Sequence, residues 1–271
     1  MKNFSIGVII STYNNPRWLE KTLWSYEKQT VAPCEIIIAD DGSGEETRAL
    51  IEKFAKVLPV KHVWHEDDGF RKTKILNEAL RVATADYLIF TDQDCVARPD
   101  FVETHARFAR EGYILSGGYF KLPMDISEQI SRDDILSKRA FKLSWLKEQG
   151  LKCSIKCLKL VDKPWVAAFM NFITPTKATW NGMNSSGWRS DILSVAGFDE
   201  RMQYGGEDRE MGERLFNKGI RSRQIRYSAI VLHLDHKRPY VNKEALERNK
   251  AIRRETKRNR TVVTKYGLKQ G

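Results

Sequence analysis

No stretch of the 271 residues approaches the ~18–20 consecutive apolar side chains that a membrane-crossing helix needs. The best apolar runs, Ile6 to Ile10 and Ile36 to Ala39, have the length of buried strands. Cysteine is also scarce. Cys34, Cys95, Cys153 and Cys157 form no C-x-x-C pair, and four cysteines in a chain of this size do not make a disulfide framework. Cys153 and Cys157 lie four apart and could share a helix face, but they read as packing or exposed thiols rather than a metal or redox site. The apolar stretch after Lys2 runs directly into Ser11, Thr12 and Asn14, too short for a signal peptide and without a small-residue cleavage site, so a cytoplasmic chain is expected. There is no internal repeat and no low-complexity linker.

What is present is ordinary globular material, 41% hydrophobic and 30% charged, enough for one large domain with a modest appendage. The net charge of +11 is unevenly placed. Lys237 to Gly271 holds 12 Lys and Arg against 3 Glu, so the basicity belongs to a C-terminal arm and the rest is nearly neutral. The division expected is a catalytic domain over 1–240 and a basic helical arm over 241–271.

The first 120 residues alternate strand-like and helix-like segments. Strands are predicted at Ile6–Ser11, Glu35–Ala39, Lys61–His65 and Tyr87–Thr91, and helices at Pro16–Lys28, Glu45–Phe54, Thr73–Val82 and Pro99–Arg110. That order argues for an α/β fold, a largely parallel sheet with helices on both faces. Residues 121–163, with ten Lys or Arg and six Asp or Glu, read as a helical insertion with an amphipathic stretch near Ile126–Leu146. A helix is predicted from Glu207 to Lys218 and a basic one from Asn242 to about Val263.

Ligands of an open parallel sheet bind beyond the carboxyl ends of its strands. Four polar clusters fall at such ends: Ser11-Thr12-Tyr13-Asn14, Asp40-Asp41-Gly42-Ser43, His65 through Arg71, and Asp92-Gln93-Asp94. Asp92 and Asp94 leave a hydrophobic strand at fixed positions. Two carboxylates so close repel each other unless a cation lies between them. Hard oxygen ligands suit Mg²⁺ or Mn²⁺, ions that commonly bridge protein carboxylates to substrate phosphates.

With these motifs in order, the chain resembles a family 2 glycosyltransferase of the GT-A fold. Val8-Ile9-Ile10-Ser11-Thr12-Tyr13-Asn14, the Asp40–Ser43 turn and Asp92-Gln93-Asp94 match in kind and sequence. The stretch from Gly187-Trp188-Arg189 through Gly197-Phe198-Asp199-Glu200 to Gly205-Gly206-Glu207-Asp208 resembles a galactosyltransferase-type C-terminal half. His65–Arg71 resembles a segment of bacterial polysaccharide-building members. The likeness spans residues 5 to about 236.

The resemblance implies a UDP-sugar donor, with Ser11 and Tyr13 lining the nucleotide pocket and Asp41 accepting from the uracil N–H. Arg71 would approach the diphosphate, or the strand-end carboxylates, as a guanidinium fork; Lys74 lies close by in sequence. Asn77 and Glu78 read as surface positions. Asp92 would touch ribose or metal and Asp94 would ligate Mn²⁺ or Mg²⁺. A late histidine would complete the metal shell: His233, which ends an apolar run, or alternatively His236. Asp208 is expected as general base toward a saccharide or lipid-linked acceptor hydroxyl, with Glu207 holding the acceptor. Both head a helix whose dipole favours ionised carboxylates. Trp188 reads either as a platform for an acceptor sugar or as core packing. An inverting in-line displacement in bacterial surface polysaccharide synthesis is the implied role.

Other classes fit less well. A nucleic-acid-binding protein would explain the basic arm but not the acidic strand ends, which repel phosphate. A nucleotidyltransferase acting on sugar phosphates is the alternative. It would want a Gly-rich basic loop after the first strand, and Ser11–Arg17 contains no glycine. The arm, residues 242–265, reads either as a dock for anionic membrane lipid or as a solvated helix covering the domain through Ala251, Ile252, Val262 and Val263.

Overall fold

The computed structural model describes residues 4–152, 154–236 and 242–269. Cys153 and the start of the basic arm at 237–241 lie outside the described residues.

The first half lays down β1 (Ile6–Thr12), α1 (Pro16–Trp24), β2 (Glu35–Asp40), α2 (Glu45–Ala55), β3 (Val60–Trp64), α3 (Lys72–Val82), β4 (Tyr87–Asp92), β5 (Cys95–Ala97), α4 (Phe101–Phe108), β6 (Tyr113–Ser116) and β7 (Gly118–Lys121). Short helices follow: α5 (Met124–Gln129), α6 (Arg132–Leu136), α7 (Leu143–Glu148) and α8 (Pro164–Ile173), with single 3₁₀ segments at Arg139–Phe141 and Ile155–Leu160. The chain ends with β8 (Ser185–Trp188), α9 (Arg189–Ser194), α10 (Glu207–Asn217), β9 (Arg221–Gln224), β10 (Ile230–His233) and α11 (Lys243–Arg258).

Seven strands form the main sheet in the order β3-β2-β1-β4-β8-β6-β9. Every neighbouring pair is parallel except those made by β8, which runs against both β4 and β6. Alternate side chains of the continuous apolar strands point to opposite faces, as a two-residue period requires. Val8, Ile10, Ile36 and Ile38 join Leu19 and Leu23 of α1, Ile51 and Phe54 of α2, and Phe101 of α4. Ile9 and Ile37 join Ile75 and Leu80 of α3 and Met211 and Leu215 of α10. Both faces are thus sealed, and ligands are left the strand ends. A smaller sheet, β5-β10-β7, places β10 beside Asp94 and carries a third core shared with the insertion.

Several expectations about helices change. The helix predicted to Lys28 ends at Trp24, and the basic helix predicted to about Val263 ends at Arg258. The helix predicted from Pro99 begins at Phe101, because Pro99 and Asp100 form the turn that enters it. The amphipathic stretch over 126–146 is not one helix. Ser131 caps a fresh helix with a reciprocal box to Asp134, and Lys138 takes a positive φ of 65°, so the chain turns twice within it.

The final helix α11 is capped by Asn242, whose side chain accepts from the backbone N–H groups of Glu244 and Ala245. It lies on α10. Thr256 Oγ1 donates to Glu210 Oε1 at 2.8 Å, and Asn249 Nδ2 donates to the carbonyls of Gln203, Tyr204 and Gly205. Of the apolar residues expected to face inward, Ile252 is buried, Val262 is half-buried, and Ala251 and Val263 are exposed.

Candidate active site

The carboxyl ends of β1, β2 and β4 converge on one cavity of about 440 Å³, which also receives the loop before β8, the start of α10 and the end of β10. Its size is that of a small-molecule site. Ser11, Tyr13, Asp41, Asp92, Asp94, Glu207, Asp208, His233 and His236 all line it. The chain therefore brings together side chains up to 225 positions apart that had been singled out separately.

At the ends of β1 and β4, Ser11 Oγ donates to Asp92 Oδ1 at 2.6 Å and Thr12 Oγ1 donates to Gln93 Oε1 at 2.5 Å, which ties β1 to the end of β4. Asp41 accepts from His65 Nε2 at 2.8 Å and from the backbone N–H of Arg71 at 3.0 Å. Burial pushes the Asp41 carboxyl above its ordinary range, against the pull of His65 and Arg71. The His65–Arg71 loop reaches this turn because residue 42 is glycine. Its φ is +97°, and a Cβ there would sit 2.5 Å from the Asp67 Cα. Tyr13, 44% exposed, donates its hydroxyl to Asp67 Oδ2 at 2.9 Å, leaving a ring face at the pocket.

At the foot of β4 and β10, Asp94, His233 and His236 present one ligand atom each, all within 4.8 Å of one another. His236 Nε2 lies 2.8 Å from Asp94 Oδ2 and His233 Nε2 lies 3.5 Å from it. Burial would raise the Asp94 carboxyl, but the His236 hydrogen bond and the two imidazoles hold it below the usual carboxylate range. Both histidines belong to the cluster, where one had been expected with the other as alternative.

Across the cavity, Asp208 Oδ2 accepts the Gly182 N–H at 2.9 Å, while its Oδ1 is buried without a hydrogen-bond partner among the described residues. Only glycine permits that approach, since a Cβ at 182 would lie 2.8 Å from Asp208 Oδ2. Burial raises the Asp208 carboxyl, opposed by Lys72, and burial with the Asp208 charge raises Glu207 to about 7. The helix dipole alone had suggested ionised carboxylates here. Desolvation outweighs it, placing both groups nearer the range useful for proton transfer at neutral pH.

Two expected positions lie elsewhere. The Arg71 guanidinium is turned to the Glu66 carbonyl and to Asp68 at 3.2 Å and does not line the cavity; it reaches the site through its backbone N–H on Asp41 and through its charge, which lowers that carboxyl. Trp188 pairs with Tyr87 in the β4–β8 register and packs edge-on against Phe4 and Tyr87. That is the amino end of β4, five residues or about 16 Å from the end carrying Asp92. Nor is Asn77 a surface residue: it is fully buried and bridges to both the carbonyl and N–H of Phe198.

Sequence reading missed Lys72. Its Nζ lies 2.7 Å from Asp92 Oδ1, and although burial lowers an ammonium, Asp92, Asp208 and Glu207 together hold it above its ordinary value. A signal existed. Lys72 opens α3, whose first turn contains no acid, and a cation at a helix N-terminus is locally unfavourable. Such a conflict points to a partner outside the helix.

Residues 7–161 match the model of glycosyl transferase family 2. Over 232 residues the chain is 29% identical to a validoxylamine A glucosyltransferase of Streptomyces hygroscopicus subsp. limoneus, covering 79% of this chain and 48% of that protein. Over 248 residues it is 29% identical to a chondroitin synthase of Pasteurella multocida, covering 83% and 24%. The chain thus spans about half, or less, of these curated relatives. Among solved structures, S. aureus TarS 1-349 in complex with UDP superimposes with a TM-score of 0.61 at 16% identity, covering 92% of this chain and 64% of that one. The mannosyltransferase PcManGT of Pyrobaculum calidifontis, in complex with GDP-Man and Mn2+, gives 0.57 at 19%, covering 88% and 59%. The mostly parallel sheet flanked by helices is the GT-A arrangement of such neighbours. The chain belongs to glycosyl transferase family 2.

Proposed function

We propose that this site transfers a sugar from a UDP-sugar to a hydroxyl of a saccharide or lipid-linked saccharide, with inversion at the anomeric carbon. The observation that carries the reading is the placement, in one cavity, of a buried carboxylate with an unpartnered oxygen opposite a carboxylate–imidazole cluster and a buried ammonium. Asp208 Oδ1 is free to take the acceptor proton as the acceptor oxygen bonds to the anomeric carbon. The electron pair of the breaking bond leaves with the diphosphate. Lys72, kept cationic by its three carboxylate neighbours, balances charge growing on that diphosphate. Glu207 is fixed by the Gly205 N–H at 2.7 Å and orients the acceptor. Asp41 retains lone pairs beyond those engaged by His65 and Arg71, which supports a uracil N–H donor.

The donor set at Asp94, His233 and His236 fits a divalent ion, and its two imidazoles suit Mn²⁺ better than Mg²⁺, which prefers an all-oxygen shell. When bound, such an ion supplies Lewis-acid stabilisation of the leaving diphosphate. The polysaccharide-synthase relatives support a growing glycan as acceptor.

The test is a screen of UDP-sugars for hydrolysis and transfer, with and without Mn²⁺, alongside Asp208→Asn. One donor should turn over, and Asp208→Asn should lower kcat by ~10²–10⁴ while UDP still binds. Near-normal transfer by a folded, UDP-binding Asp208→Asn removes the base assignment. Turnover of UTP with a sugar 1-phosphate, and of no UDP-sugar, removes the reading as a whole.

A further inference from the structure

Helix α8 is inside out. From Pro164 to Ile173 it contains no charged residue, and Asn171 is its only polar side chain. Asn171 faces the protein: its Nδ2 donates to Ser228 Oγ at 2.9 Å and its Oδ1 accepts the Tyr227 N–H at 2.9 Å. Ala167 is the helix's one buried residue. Trp165, Phe169, Phe172 and Ile173 point outward, 69%, 56%, 88% and 47% exposed. At 100° per residue these four, with exposed Ala168, fill one continuous arc of roughly 140°. Ile155, on the preceding 3₁₀ segment, is 82% exposed as well. A contiguous aromatic face of this kind on a folded domain marks a contact surface.

Its rim indicates which kind. Between residues 152 and 177 the sequence has five lysines against Asp162 alone; Lys152, Lys156, Lys163 and Lys177 are exposed, while half-buried Lys159 donates to the Tyr119 carbonyl at 3.0 Å. We propose that α8 and the adjoining 3₁₀ segment dock the enzyme onto an anionic lipid bilayer, the aromatics entering the interface and the four exposed lysines meeting lipid headgroups. An apolar face with Trp and Phe, flanked by Lys, has the composition of an interfacial helix. A second copy is disfavoured, because a two-fold contact through this face would set the lysine rim against itself. A protein partner is disfavoured because lysine is depleted at protein interfaces. The C-terminal helix α11 serves this purpose less well. It is held against α10, and its exposed residues include Glu244, Glu247 and Glu255 among the cations, with no aromatic.

The 3₁₀ segment beside α8 is linked to the cavity through Tyr119. Lys159 sits 5.1 Å over the Tyr119 ring, which in turn lies 5.9 Å from the imidazole of His233. Docking would bring a lipid-linked acceptor to the site, a consequence that rests on the function proposed above; the docking itself does not.

The experiment is co-sedimentation of the full chain with vesicles of phosphatidylglycerol and phosphatidylcholine, and with phosphatidylcholine alone. Wild type should bind the anionic vesicles and release as salt rises. Phe169→Ser/Phe172→Ser should lower the partition coefficient about tenfold or more. Trp165→Phe should keep binding but lose the quenching of tryptophan emission by brominated lipid. Folding of each variant is checked by its thermal transition, so lost binding is not lost structure. No binding by wild type, undiminished binding by the double variant, or unchanged quenching in Trp165→Phe would each overturn the proposal. So would wild-type self-association that the double variant abolishes. None of these readouts requires sugar transfer, so failure here is distinct from failure of the catalytic reading.

Discussion

Replacing Glu207 with Gln should make the protein more stable above neutral pH. Glu207 is 5% exposed, and burial together with Asp208 raises its carboxyl from an ordinary 4.5 to about 7. Between those values the folded state holds a proton that the unfolded chain has released, so stability falls as pH rises through that window. Each unit of pKa corresponds to ~1.4 kcal/mol, so the full cost at pH 8 is on the order of 3 kcal/mol. Gln keeps an oxygen to accept the Gly205 N–H and carries no charge. Urea unfolding of the metal-free protein at pH 5 and pH 8 gives the test. The variant should gain about 2–3 kcal/mol over wild type at pH 8 and less than about 1 kcal/mol at pH 5. Equal differences at the two pH values, or a less stable variant at pH 8, would refute a raised carboxyl at this position. Transfer activity should fall in the same variant, because charge retained at a cost to folding belongs to function.

Lys72→Met removes the cation facing Asp92, Asp208 and Glu207. Because the pair is about four-fifths buried, roughly 2–3 kcal/mol of stability should be lost at pH 8, and the acid limb of the rate profile should move to higher pH as Asp208 and Glu207 lose their counter-charge; an unmoved profile speaks against Lys72 as their partner. Trp188→Ala should cost about 2–3 kcal/mol in denaturant unfolding through its lost packing on Phe4 and Tyr87, with the acceptor KM unchanged once corrected for folded fraction. A raised KM in a stable protein would return Trp188 to the site.

The strand-end half of the site was legible because its cause is local. Ile6–Thr12, Glu35–Asp40 and Tyr87–Asp92 are continuous buried runs, and whatever polar residues follow such strands must emerge at one edge. The other half depends on returning chain. Gly182 meets Asp208 only because β8 enters the sheet against β4, and a four-residue strand with the sequence SSGW announces neither direction nor neighbours. Trp188 was misplaced for the same reason: its motif was recognisable, but the reversed strand carries it to the far edge. In the β5-β10-β7 sheet the apolar run ending at His233 was legible, but strands of three or four residues gave no sign of the pairing that seats His233 beside Asp94. Asn77 looked like helix surface because its partner, Phe198, lies 121 positions away.

The contact between α10 and α11 bears on how this protein can be dissected. Arg214 and Glu210 pair on α10 with essentially no solvent, Arg214 also donates to the Val195 and Gly197 carbonyls, and Glu210 receives the Thr256 hydroxyl from α11. The helix that begins with Glu207 and Asp208 is therefore moored, one turn along, by a residue of the basic arm. Trimming the chain before Asn242 would open a buried ion pair to water and loosen the carboxylate proposed to take the proton. A truncation meant to ask whether the arm seeks lipid would instead report on the footing of the helix that carries the proposed base. Charge-neutral exchanges on the outer side of α11 leave that mooring intact and ask the intended question.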